Sequence, residues 1–163
     1  MNNCNEQFLN EVIHIELVPS ANCSMAIPFN VGELTDMPGM NGTTDRIGTP
    51  AMVIDVNEVE GYAGILDSAP TLKTTEKPQA AGYLRQHDLS IPIMADYEEV
   101  RKARASLNGV DFHVILKTAA GTRFLLYALP NTSQVSVEDQ FGGDAKQTVK
   151  VSLQSMSAMI RLT

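Results

Sequence analysis

Apolar and polar residues alternate with a period of two along 87–93, 110–118 and 148–154, the signature of strands that bury one face. Between the first two of these runs the period changes. From Asp96 to Leu107 the apolar residues Tyr97, Val100, Ala103 and Leu107 fall on one side of a helix. Asp96 is placed to cap it, with Glu99 at the third helical position. Glu98 stands four residues before Lys102, and Asn108-Gly109 supplies a left-handed stop. The pattern predicts one helix lying on a sheet by its Tyr97, Val100, Ala103 and Leu107 stripe.

The remaining strands are read from shorter runs. Residues 11–18 set Ile13, Ile15 and Leu17 against Val12, His14 and Glu16, and 52–56 forms a second strand. Residues 62–66 and 71–75 are expected to pair as a hairpin through 67–70, and 77–82 is read as a connector. Pro92 places its strand at a sheet edge or ends it there. The turn 119–122 predicts a firm hairpin between 110–118 and 123–129, whose second arm is apolar on both faces and suits a central strand. Val135 and Val137 are expected to pair briefly, and 156–162 to form a last strand. The sum is a single domain over 1–163, mostly β (α+β). Its expected form is an antiparallel β-sandwich or small barrel of seven or eight strands with one flanking helix over 96–107.

Residues 19–50 break this regularity. They are rich in Asn, Ser, Gly, Thr, Pro and Met, yet studded with Met25, Ile27, Phe29, Val31, Leu34, Met37 and Met40. A loop of that length in a compact domain is usually functional, so the segment is read as an N-terminal assembly arm, with an ordinary surface excursion as the alternative.

Charge and composition narrow the function by exclusion. With 163 residues the chain can fold without staples, and its net charge of −7 opposes an exterior that grips nucleic acid. Cys4 and Cys23 have no metal-ligand spacing and are read as free thiols. No run is long and apolar enough for a membrane helix, and the first residues lack the basic and apolar regions of a signal peptide, which points to synthesis in the cytoplasm and no membrane partner.

His14, His87 and His113 fall in strands and are read on polar faces, without a neighbouring ligand set. No nucleophile elbow, phosphate loop, dinucleotide fingerprint, zinc-protease or EF-hand spacing occurs. The expectation is therefore no enzymatic chemistry, no catalytic or metal residue, and no cofactor. Glu58 and Glu60 share a strand face within an acidic middle segment, which a solvated surface explains before cation binding does. Few aromatics and no Trp argue against a carbohydrate platform or a stacking reader of single strands.

The segment 111–127, preceded by the strand and helix and followed by 148–159, resembles a bacteriophage or prophage tail-tube protein in its order of strand, short helix, strand, small-residue turn, strand, variable loop and final strand. The resemblance covers about half the chain, and the ending Ile160-Arg161-Leu162-Thr163 departs from the Cys-, Pro- or Tyr-bearing tails of many such proteins. It implies a virion structural subunit that assembles with itself, commonly as a hexameric ring, and stacks around a DNA passage. The implied partners are further copies, other tail proteins, and DNA only as non-specific passing cargo. Met25, Ile27, Phe29, Leu34, Met37 and Met40 would serve the assembly arm, and Glu58 and Glu60 are the lumen-facing candidates. Tail completion and head–tail joining are neighbouring roles. The competing readings are a monomeric β-sandwich binding module and, behind it, a small β-barrel enzyme.

Overall fold

Strand follows strand wherever Val, Ile and Leu were found in alternation. The computed structural model describes residues 12–22, 36–37, 49–56, 64–79, 82–94, 97–140, 146–156 and 160–162. Among them are eleven strands and one α-helix: β1 (Val12–Pro19), β2 (Asp36–Met37), β3 (Met52–Asp55), β4 (Ile65–Leu66), β5 (Thr71–Gln79), β6 (Gly82–Met94), α1 (Tyr97–Ser106), β7 (Phe112–Thr118), β8 (Arg123–Leu126), β9 (Gln134–Gln140), β10 (Lys146–Ser155) and β11 (Ile160–Leu162).

The strands form one open sheet in the order β2-β11-β8-β7-β1-β3-β4-β6-β10-β9, with β5 on the same edge of β6 as β4. Among the described residues its ends do not meet through a strand pair, so the barrel alternative is replaced by a sandwich-like roll. Pairing is antiparallel except at two short contacts, β3 with β4 and β2 with β11.

The two-residue β4 divides the sheet into halves, β9-β10-β6-β5 and β3-β1-β7-β8-β11-β2. They face each other across one core. Ile15, Leu17, Met52, Ile54, Phe112, Val114, Leu116 and Leu126 from one half meet Leu89, Ile91, Ile93, Val149, Val151 and Leu153 from the other. Each such side chain contributes about 1.5–3 kcal/mol by leaving water. A second tie between the halves lies opposite β4, where Leu129 N–H donates to Gln154 O at 2.8 Å.

Helix α1 closes the core. Val100 and Leu107 are buried and Ala103 packs beside them, as the stripe predicts. Tyr97 opens the helix, but its side chain and the cap Asp96 lie outside the described residues. Arg101 on the outer side donates to Asp139 of β9, which ties helix to sheet.

Three expectations are corrected. First, of the hairpin expected between 62–66 and 71–75, Ile65–Leu66 does not pair with β5, and residues 62–63 lie outside the described residues. β4 and β5 both pair with β6, whose thirteen residues are long enough for two neighbours. Within the expected connector 77–82, Lys77, Pro78 and Gln79 belong to β5 and Gly82 to β6, with Gln79 opposite Gly82, and a closure this short in sequence sacrifices little chain entropy.

Second, Pro92 sits in the middle of the sheet. In an antiparallel strand the N–H and C=O of one residue point to the same neighbour. Pro92 O accepts from Asp67 N at 3.0 Å, so its missing N–H faces the corner between β4 and β5, where no ladder bond is needed.

Third, β1 buries both faces rather than one. Val18, Val53, Ile115 and Leu125 are buried on the side opposite the main core, and the burial of β8 on both sides agrees with its apolar sequence.

Two glycines are demanded by backbone shape. Gly121 (φ +89°) turns the β7–β8 hairpin, where its N–H donates to Thr118 O at 3.0 Å. Gly64 (φ +86°) brings the chain against Ile54 and Val100 as it enters β4.

Candidate functional site

Most residues singled out from the sequence for assembly or a lumen, namely Met25, Ile27, Phe29, Leu34, Met40, Glu58 and Glu60, lie outside the described residues. Met37 is described in its backbone alone, where β2 runs parallel beside β11 at the sheet margin. The histidines are fully described: His87 and His113 are buried, whereas His14 is part-exposed among polar side chains.

His87 is 2 % exposed and shares its side of β6 with Leu89 and Ile91; its Nδ1 lies 2.9 Å from Thr74 Oγ1 of β5. The reason for the correction is parity, because residues two apart on a strand share a face.

His113 is 5 % exposed and stacks on Tyr127 with ring centroids 4.4 Å apart. Ala128 N–H donates to its Nδ1 at 3.0 Å, so that nitrogen carries no proton and the neutral ring must be protonated on Nε2. The Nε2–H donates to Ser20 Oγ at 3.1 Å. A serine nucleophile needs the reverse arrangement, with Nε2 accepting the hydroxyl proton. Burial, partly opposed by Asp111, pushes the His113 pKa down to about 4, which leaves it neutral and a weak base. The Ser20–His113 contact is a structural joint between the end of β1 and β7.

His14 is the third case. Its Nδ1 lies 2.6 Å from Asp55 Oδ2 of β3 and its Nε2 3.0 Å from Glu16 Oε1 of its own strand. Both nitrogens must donate, so the ring is an imidazolium held between two carboxylates. Burial opposes that charge, but Glu16 and Asp55 outweigh it and raise the pKa above 6.5. Among the described residues no group of three or more His, Cys, Asp or Glu side chains is arranged to hold a metal ion, and no helix is long and apolar enough to cross a membrane.

The most unusual feature of the molecule is a strand. Eight of the nine residues of β5 are exposed, and among the described residues β5 pairs on one side only, with β6. The Pro92 geometry fixes which backbone groups are turned outward. Even-numbered β6 residues direct their N–H and C=O toward β5, so their partners Thr71, Lys73, Thr75, Lys77 and Gln79 bond β6. Leu72, Thr74, Glu76 and Pro78 therefore point theirs to the outer edge. Pro78 fits this assignment, since its missing N–H falls on the outer side.

On the opposite flank of the same four-stranded half, β9 pairs only with β10 among the described residues. Between these two edges the outer face forms a groove of about 570 Å³ across three rungs, lined by Thr71, Lys73, Asp88, Ser90, Lys150 and Ser152, among others. Gln86 donates to Asp88 and Ser152, and Lys150 pairs with Glu138 at 2.7 Å. It is a hydroxyl- and amide-rich wall with both signs of charge.

Sequence reasoning missed this edge because it assigned 71–75 to a local hairpin. The signal was present in the Thr, Lys and Glu of 71–79, which give that strand little apolar side to bury. No protein family, curated protein or solved structure matches the chain.

Proposed function

We propose that the chain is a structural subunit that assembles with copies of itself by extending its sheet, in the manner of the tail-tube proteins its sequence resembles. The observation that carries this reading is the β5 edge. A nine-residue strand with outward N–H and C=O groups is a template for a further strand, and monomeric proteins usually blunt such an edge. Here Pro78, near the hairpin tip, removes one outward N–H and Lys73, Glu76 and Lys77 add charge, but Leu72, Thr74 and Glu76 keep their outward N–H and C=O groups.

The two edges differ. β5 carries Lys73 and Lys77 on the outer face, and β9 carries Glu138. A joint between β5 of one copy and β9 of the next is therefore head-to-tail and complementary in charge, and repetition of a head-to-tail joint gives a ring where the rotation closes. In that ring the polar outer face between the edges borders the passage, where Lys73, Lys77 and Lys150 stand beside Asp88 and Glu138 and form no cluster of one sign that would hold phosphate. The reading assigns the protein to a virion, with other tail proteins as neighbours and no catalytic role for any residue.

The alternative, a monomeric β-sandwich binding module, is favoured by one observation, the 570 Å³ groove.

A paired substitution separates the two. Thr74→Ala and Thr74→Pro both remove the hydroxyl that meets His87, but only the proline removes an outward N–H. With unchanged β-sheet circular dichroism in both variants, Thr74→Ala is expected to assemble like the parent chain and Thr74→Pro to stay small. Equal assembly of both variants contradicts the edge as the joint.

A further inference from the structure

The seam between the two halves of the sheet is narrow. β3 meets β4 through one registered pair, Asp55 with Ile65, and β4 reaches β6 through Ile65–Met94 and Leu66–Ile93. Asp55 is thus the residue at which β1, β3 and β4 converge. On its other side it pairs with His14, the last registered pair of the β1–β3 ladder. The register of β1 against β7 slips between Val12 and His14, so His14 also stands at a bulge. Beyond the bulge one backbone bond continues the ladder, Val56 N–H to Ile13 O at 3.0 Å.

We propose that the imidazole of His14, bridging Glu16 and Asp55, is a proton-operated clasp on this seam: closed while both ring nitrogens carry protons, released when one proton is lost. A neutral ring has a single N–H. Whichever carboxylate it keeps, the other faces a nitrogen lone pair at 2.6–3.0 Å, a repulsive contact in a half-buried site. If the bond to Asp55 is lost, the end of β3 loses its side-chain tie to β1. If the bond to Glu16 is lost, a carboxylate belonging to a residue only 9 % exposed must turn toward water, which disturbs β1 at its bulge.

Among the described residues the charged groups facing the ring are Glu16 on β1, Asp55 on β3 and Lys117, its cross-strand neighbour on β7; Arg123 of β8 stands opposite Lys117. Lys117 opposes protonation, and the two carboxylates at hydrogen-bond distance favour it. Nothing in this inference depends on self-assembly.

The test uses the full chain, with ring carbon resonances followed by NMR and amide exchange at 53–55 and 65–66 followed from about pH 5.5 to about pH 9, corrected for the intrinsic pH dependence of exchange. The expected result is a His14 midpoint above 6.5, with amide protection in β3 and β4 falling at the same midpoint while the β7–β8 hairpin stays protected. In His14→Gln the pH dependence of that protection disappears. Should that variant fail to fold, Glu16→Gln keeps an acceptor beside Nε2 and removes one charge. It is expected to lower the His14 midpoint, and the protection midpoint with it. Protection that does not follow the His14 titration, or that keeps its pH dependence in His14→Gln, overturns the clasp.

Discussion

His113 and His14 respond to acid in opposite senses, and the difference lies in what each ring touches. His113 is neutral among Tyr127, Ala128 N–H and Ser20, and its pKa falls from 6.5 to about 4 on folding. Between those values the unfolded chain binds the proton more readily, so the ring's contribution is complete above pH 6.5 and is lost as the pH falls toward 4. The loss is roughly 2 to 4 kcal/mol. His14 is held charged, so its contribution is complete below 6.5 and is lost as the pH rises through its raised folded value. Together they predict greatest stability near neutral pH. Urea unfolding at a series of pH values checks this, and His113→Gln should flatten the acid limb. An acid limb unchanged in that variant would assign the loss to other groups.

At this scale the sequence was partly legible. The parity of His87 with Leu89 and Ile91 was there to be read. The pairing of His14 with Asp55 was not, because it joins positions 41 residues apart through a register that no local pattern specifies.

Among the elements, α1 and the β7–β8 hairpin were the most legible, and both for local reasons. The helix has a periodic stripe and a glycine stop; the hairpin has a short turn with Gly121 at φ +89°. Val100 is fully buried against the core, so Val100→Asp is expected to cost about 2 to 4 kcal/mol, read as a lowered melting temperature. An unchanged melting temperature would mean that the stripe does not bear on the core. β4 and β5 were illegible as partners because both answer to β6, and competition between a nearby strand and a longer one is decided by the whole ladder rather than by either segment. Pro92 misled for a related reason. Its side of the strand matters, and that side is set by neighbours brought in from elsewhere in the chain.

For the whole molecule, composition and alternation foretold a mostly β chain with one helix, which is the architecture observed. Strand order was beyond their reach, since β1 lies between β7 and β3, and β10 between β6 and β9. That order leaves β5 and β9 on opposite flanks of one half-sheet, and the account of function rests on those two edges. Light scattering across a concentration series tests it most directly. Assembly through these edges gives a mass that rises from the 17.7 kDa of one chain to a discrete multiple as concentration increases, with ring-shaped particles in negative stain. A mass that stays at one chain up to about millimolar concentration would contradict it and leave the groove of a monomeric module as the functional surface.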